Sequence, residues 1–138
     1  MSGGCPSQFN ACALTSLISN GTLDNRITQL KEVYSKRANA YATAMEEYWV
    51  PHGVKYTRCL GGYFIWVKLP LGVRATELSR VALGDGVWVM EGTNCMVPDD
   101  ESVEYDSFIR ICIALEDSDK AVEGIKRIGK VIEKLRQK

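Results

Sequence analysis

Gly61-Gly62-Tyr63-Phe64-Ile65-Trp66-Val67-Lys68-Leu69-Pro70 is the stretch whose reading settles the fold. The glycine pair can take backbone angles closed to other residues and lets a ligand or a second segment come close. The residues after it are aromatic, branched or long, rich in strand formers and too few for a typical helix, which predicts a β-strand over 62–68. Alternation puts Tyr63, Ile65 and Val67 on one face and Phe64, Trp66 and Lys68 on the other. Both faces are largely apolar, so the expectation is a central strand with packing on each side. A second run, Phe108-Ile109-Arg110-Ile111-Cys112-Ile113-Ala114-Leu115, has the same character except for Arg110, a permanent cation in an otherwise apolar strand.

Upstream of the glycine pair, Val54 to Cys59 reads as a short strand, and so short a link predicts an antiparallel hairpin. Before it, Leu23, Ile27, Leu30, Tyr34, Ala38, Tyr41, Met45 and Tyr48 recur at spacings of three and four. They predict one long helix opened by Thr22 and ended by Pro51 and Gly53. About 28 residues at 1.5 Å each give a rod of roughly 40 Å, more than one small domain needs, so the helix is expected to bridge two bodies. A first helix is expected from Ser7 to Ser19, with Pro6 ahead of it, a face of Phe9, Ala13, Leu14, Leu17 and Ile18, and Asn20-Gly21 as its stop.

Downstream, Thr76 predicts the cap of a short helix ended by Gly84-Asp85-Gly86, and Val87 to Met90 a brief strand. Residues 91–107 hold Gly92, Pro98 and the acids Asp99, Asp100, Glu101, Glu104 and Asp106, and read as an exposed loop of functional length. Asp117 or Ser118 caps a last helix with the stripe Ala121, Val122, Ile125, Ile128, Ile132 and Leu135. The class is α+β: a small, mostly antiparallel sheet covered by helices and preceded by a long bridging helix. The expected division is 1–50 for the two leading helices and 51–138 for a compact domain.

Composition excludes several classes. At 138 residues, 46% hydrophobic and 25% charged, the chain suits an ordinary globular domain. Seventeen basic residues balance seventeen acidic ones, which gives no pull toward nucleic acid or an anionic membrane surface. No apolar run approaches a membrane span, and Met1 to Pro6 lacks the marks of a signal peptide. Five dispersed cysteines form no metal spacing with the single His52. They suggest reduced thiols in a cytoplasmic setting. Cys12, Cys59 and Cys112, in apolar surroundings, are expected to behave as small hydrophobes.

Arg110 is the strongest chemical feature. A guanidinium is a planar fork that matches a carboxylate bidentately, and placing it mid-strand between two isoleucines is unfavourable unless an anion answers it. Two readings stand: an internal ion pair with one of the chain's acids, or a carboxylate-binding arginine at a cleft. Gly61-Gly62 is a hairpin turn or a close-approach point, and Ser2-Gly3-Gly4 a disordered end or an anion-holding nest of amides. His52 reads as a turn residue. No nucleophile elbow or phosphate loop of the usual form is present.

The ordered set Ser2-Gly3-Gly4-Cys5-Pro6-Ser7-Gln8-Phe9, Tyr34 with Arg37, Gly61 to Val67, Gly86-Val87 with Val89, and Phe108-Ile109-Arg110-Ile111 resembles the C-terminal part of class I/II aminotransferases. These are pyridoxal-phosphate enzymes of fold type I, and the likeness is greatest to the aminoadipate and kynurenine branch. The resemblance implies a small domain plus bridging helix, with Arg110 binding the α-carboxylate of the substrate and Gly62 and Tyr63 lining the substrate side. It implies amino acids and 2-oxo acids as substrates, pyridoxal 5'-phosphate as the cofactor of the longer parent, and a homodimeric parent. It also implies that the parts approaching a partner subunit include Ser2-Gly3-Gly4. Glu91-Gly92 stands where the family usually has proline-glycine, with Cys95-Met96 following in place of an aromatic residue. The Schiff-base lysine has no counterpart, and Lys31, Lys36 and Lys55 lie in the wrong elements, so the chain alone is expected to be inactive. Two other readings carry no transamination: a small-carboxylate-binding module, or part of an aminotransferase-like transcription regulator.

Overall fold

The computed structural model of the protein describes residues 7–97 and 103–137. The chain divides into two compact units, Met1–Ser35 and Lys36–Lys138. Ser2-Gly3-Gly4, Pro6, Pro98 and the acids Asp99, Asp100 and Glu101 lie outside the described residues.

In the first unit, α1 spans Gln8–Ser19, and the Ser7 hydroxyl accepts from the Asn10 amide at 3.5 Å as its cap. Gly21 follows in a left-handed conformation, with φ of 74°. Asn20 Oδ1 accepts from the Thr22 amide at 3.0 Å, where α2 (Thr22–Tyr48) begins. The helices form as their spacing predicts, but α1 buries no residue, and Phe9 is 81% exposed.

The second unit begins inside α2, whose buried residues are Tyr41, Ala42, Ala44 and Met45. A 3₁₀ turn at Val50–His52 and Gly53 (φ 84°) end the helix where Pro51 predicts. Strand β1 is Lys55–Tyr56, β2 Phe64–Lys68, α3 Ala75–Gly84, β3 Met90–Glu91, β4 Phe108–Cys112 and α4 Ser118–Arg136. The sheet order is β1-β2-β4-β3 with every neighbour antiparallel. No helix among the described residues is long and apolar enough to cross a membrane.

One face of the sheet makes the core. Ile65 and Val67 of β2 stand beside Ile111 and Ile109 of β4, all buried, in one cluster with Met45, Trp49, Leu78, Ile125, Ile128 and Ile132. Five of the six positions predicted for the α4 stripe are buried, with Val122 half-buried and Gly129 and Val131 buried as well, and Asp117 Oδ1 accepts from the Lys120 amide at 3.0 Å to open that helix. Trp49 locks α2 to α4: fully buried, it donates its indole N–H to the Ile125 carbonyl at 2.7 Å. Gly129 lets the helices meet, because a Cβ there would lie 2.8 Å from the Tyr48 carbonyl oxygen.

The structure corrects several expectations. β2 is central, but only one of its faces is packed; Phe64 and Lys68 are exposed and Trp66 half-buried. The helices gather on the isoleucine side, and the other face stays open. The strand expected over 54–59 shortens to Lys55–Tyr56, and the one expected over 87–90 to Met90–Glu91. Thr76 lies inside α3 rather than capping it. Segment 91–107 is not simply an exposed loop: 3₁₀ turns form at Gly92–Cys95 and Val103–Ser107, and Gly92 and Asp106 are buried. Cys12 and Cys112 are exposed, so neither is a core hydrophobe, whereas Cys59 is half-buried and packs against the core as expected.

Candidate functional site

Strand β4 presents Arg110 on the open face, directly opposite Trp66 of β2 and Met90 of β3. The guanidinium carbon lies 4.1 Å from the centre of the Phe64 ring, a cation–π contact. Arg110 takes part in none of the ion pairs formed among the described residues, which include Arg74–Asp106, Lys120–Glu116 and Arg127–Glu123. The internal pair weighed from the sequence is therefore not formed there. A half-buried cation has an aromatic face for support and, among the described residues, no acid against it. Farther along the same face, Trp66 and Phe108 stack with centroids 5.4 Å apart and planes 16° from parallel, and Lys68 Nζ sits 5.4 Å from the Phe108 centroid.

A cavity of about 950 Å³ opens beside Arg110, with Phe64, Trp88, Met90, Cys112 and Leu115 among its lining. The edge strand beside it is short. β3 pairs only at Met90 and Glu91, so β4 runs on past it without a strand neighbour on that side. Two side chains one turn apart on α2 serve the carbonyls left there: the Tyr41 hydroxyl donates to Cys112 O at 3.1 Å, and Arg37 Nη1 to Ala114 O at 2.5 Å. Burial pushes the Tyr41 phenol above its ordinary pKa, with the nearby Cys112 and Glu116 adding to the shift, which keeps it a donor.

Asp106 fixes the start of β4. Its Oδ1 accepts from the Thr76 amide at 2.9 Å, and Oδ2 accepts from Arg74 Nε at 2.6 Å and from the Thr76 hydroxyl at 3.2 Å. The carboxylate thus caps α3 across 30 residues of chain. Burial alone would raise its pKa, but the Thr76 amide, the Arg74 guanidinium and the Thr76 hydroxyl outweigh burial and hold it below the ordinary carboxylate value. Next to it, the Leu69 amide donates to Ser107 O at 2.8 Å. Gly92 packs beneath: a Cβ would meet Tyr105 O at 2.4 Å and Phe108 O at 2.9 Å.

Of the residues expected at a site, Gly62 stands in the turn before β2 with φ of 82° and open space where a Cβ would point. Tyr63 continues the row of Ile65 and Val67, and its carbonyl accepts from the Ile113 amide at 2.9 Å, so the register sets its side chain on the face opposite Arg110. The aromatic ring brought to Arg110 is Phe64 instead. His52 stands in the 3₁₀ turn after α2. No group of three or more metal-capable side chains occurs among the described residues. Sequence reading missed Asp106, Tyr41 and the pairing of Phe64 with Arg110. Parity within the two strands was the available signal for Phe64, but it needs the cross-strand register to be used.

No protein-family profile matches the chain. Among curated proteins it is 33% identical over 132 residues to an uncharacterized protein of Saccharomyces cerevisiae, covering 95% of this chain and 30% of that one. It is 30% identical over 128 residues to aromatic-amino-acid aminotransferase 1 of Thermococcus litoralis, covering 93% of this chain and 30% of that enzyme. Among solved structures, α-aminoadipate aminotransferase of Thermus thermophilus, complexed with N-(5'-phosphopyridoxyl)-L-leucine, superposes with a TM-score of 0.77 at 29% identity. That match covers 90% of this chain and 30% of that one. The chain spans about 30% of the length of the curated relatives it matches.

Proposed function

We propose, for a chain with the sequence and fold of part of a fold type I, class I/II aminotransferase, that Arg110 holds the α-carboxylate of the amino acid and of the 2-oxo acid in transamination. The observation that carries this reading is a half-buried guanidinium in a cavity, backed by Phe64 and met by no acid among the described residues. The chemistry suits such an anchor. An amino acid and its 2-oxo acid differ at the α-carbon and share the carboxylate beside it. One fork that grips the shared group can therefore orient both partners of the exchange.

Pyridoxal phosphate is the cofactor of the longer protein in this reading, where it carries the amino group between the two substrates. The residues of the open face do not make a site for it. Among the described residues they offer no acid for a pyridine nitrogen, and of the two lysines of that face Lys68 leans on Phe108 rather than toward Arg110, while Lys55 stands opposite Lys68 on the edge strand β1, two strands from Arg110. The role assigned to this chain is to bind and orient the substrate carboxylate, and the chain alone is expected to lack transaminase activity. The bare apolar positions of α1 support its being a portion of a larger body, which the resemblance makes a homodimer.

The test is a titration of the chain with pyruvate, followed by nuclear magnetic resonance at the Arg110 side chain. A charge-assisted contact of about 2 kcal/mol corresponds to about a thirtyfold loss in the Arg110→Gln variant. Unchanged affinity in that variant would remove Arg110 from the role. Borohydride reduction after mixing with pyridoxal phosphate checks the second point. A stoichiometric adduct on one lysine, displaced by an amino acid, would contradict the expected inactivity.

A further inference from the structure

We propose that Tyr41 and Arg37 are positioning residues for carboxylate binding at Arg110: from α2 they take the place of an edge strand at the end of β4 and so fix the direction of the fork. The inference rests on Arg110 as the carboxylate anchor and names the groups that hold that anchor in place.

Strand alternation places Arg110 where backbone support runs out. The Ile113 amide donates to Tyr63 O just past the end of β4, so the odd-numbered residues of the strand turn their N–H and C=O groups toward β2. Arg110 and Cys112 turn theirs the other way. On that side β3 pairs with Arg110 through Met90, its first residue, and does not extend to Cys112. Arg110 thus stands on the last rung that backbone supplies there. The next two carbonyls are answered by side chains of α2, Cys112 O by the Tyr41 hydroxyl at 3.1 Å and Ala114 O by Arg37 Nη1 at 2.5 Å. The spacing makes the two bonds a pair. Residues four apart on a helix lie about 6 Å apart along its axis, and residues two apart on an extended chain about 6.7 Å, so one turn of α2 spans one repeat of the strand.

The fork follows Cys112 for two reasons. Cys112 is the next residue of β4 on the same face as Arg110, so a shift of its backbone turns the strand that bears the guanidinium. Its cross-strand partner is Phe64, the ring 4.1 Å from the guanidinium carbon, so the same shift disturbs the support beneath the fork. A bidentate grip needs two N–H groups aimed at two oxygens at once, which makes it more sensitive to a small rotation than a single bond is. Tyr41 is well placed to prevent that rotation. It is 4% exposed and part of the core cluster, so its hydroxyl meets Cys112 O from a ring that is itself held by packing.

The experiment titrates the chain with pyruvate and reads the Arg110 Nε–H resonance and its nitrogen relaxation in Tyr41→Phe, Arg37→Gln, Arg37→Lys and Leu135→Ala. Leu135, buried at the far end of α4, serves as a control that lowers the melting temperature without touching β4. Tyr41→Phe is expected to bind pyruvate about fivefold more weakly and Arg37→Gln about threefold, each with a more mobile Arg110 Nε–H. Arg37→Lys, which still has an N–H for Ala114 O, should recover most of the loss, and Leu135→Ala should bind as wild type does. If Tyr41→Phe and Arg37→Gln keep wild-type affinity while Arg110→Gln loses it, the anchor stands and the positioning role falls. If Leu135→Ala weakens binding as much as Tyr41→Phe, the effect is one of stability alone and the proposal falls. If Arg37→Lys is no better than Arg37→Gln, the bond to Ala114 O is not what acts and the role of Arg37 is overturned. If Arg110→Gln leaves pyruvate binding unchanged, the anchor and its positioning fail together.

Discussion

Replacing Asp106 tests how the strand that carries Arg110 is held. In Asp106→Ala, α3 loses the acceptor for the Thr76 amide at 2.9 Å, and Arg74 loses its partner at 2.6 Å. A lost helix cap is worth about 1 kcal/mol. The Arg74 side chain is 71% exposed, so its pair adds only about 0.5 kcal/mol. The Thr76 hydroxyl bond at 3.2 Å adds a similar small amount, since Thr76 is exposed and water replaces its partner. The total is about 2 kcal/mol, or about 8 °C in melting temperature for a chain of this size. Trp49, fully buried in the same unit, gives the near-ultraviolet circular dichroism signal that reports the loss. Asp106→Asn keeps an acceptor for Thr76 but offers no charge to Arg74, and is expected to lose about half as much. The pH dependence has a definite sign. The native pKa of Asp106 lies below the unfolded value, so its contribution is full above about pH 3.9 and fades as pH falls through the native pKa. The gap between wild type and Asp106→Asn should therefore narrow below about pH 3.9. A loss under about 0.5 kcal/mol in Asp106→Ala, well short of what a cap supplies, would refute the reasoning. So would a gap that stays constant on acidification.

Two further substitutions probe the supports around the site. Gly92→Ala places a methyl 2.4 Å from the Tyr105 carbonyl oxygen, and overpacking of this kind is worth about 2 kcal/mol or more of destabilisation in urea unfolding. Trp49→Phe removes the 2.7 Å bond to Ile125 O and leaves that buried carbonyl without its donor, for a loss of about 2 kcal/mol by the same measurement.

The sequence shows some layers of this fold plainly and hides others for physical reasons. Helices are local: Gly53 after α2, Asp117 capping α4 and most of the stripe of α4 stand where spacing and capping chemistry predict. The hairpin and the apolar runs around Ile65 and Ile109 are equally legible. One-sided packing is not, because Phe64 and Trp66 look as apolar as Ile65 and Val67. Only the placement of α3 and α4 on the isoleucine side separates them. The cap of α3 was misassigned to Thr76, since a cap from 30 residues away leaves no trace in the local pattern. Arg110 announced itself as a charge in an apolar strand. Its neighbour did not: Tyr63 and Phe64 are adjacent aromatics, and the register, which sets Trp66 opposite Arg110, decides that the even-numbered ring faces the guanidinium.

In the proposed reading of Arg110 as a carboxylate anchor, support from a ring rather than from an acid is what leaves it usable. A carboxylate partner would satisfy the guanidinium through the same in-plane N–H donors that a ligand carboxylate needs, so each binding event would first have to break a native ion pair. A ring beneath the plane makes a contact of about 0.5–1 kcal/mol, orients the fork and leaves its edge donors unoccupied. The 4.1 Å approach to Phe64 is that arrangement. Of the acids lining the cavity, Glu116 and Glu123 are drawn to Lys120 and Arg127 four residues along the chain. Asp106, the buried acid of the same unit, is committed to Arg74 and α3. The sorting of these charges, Glu116, Glu123 and Asp106 each with a cation and Arg110 with a ring, keeps one fork open toward the cavity while the strand beneath it stays fixed.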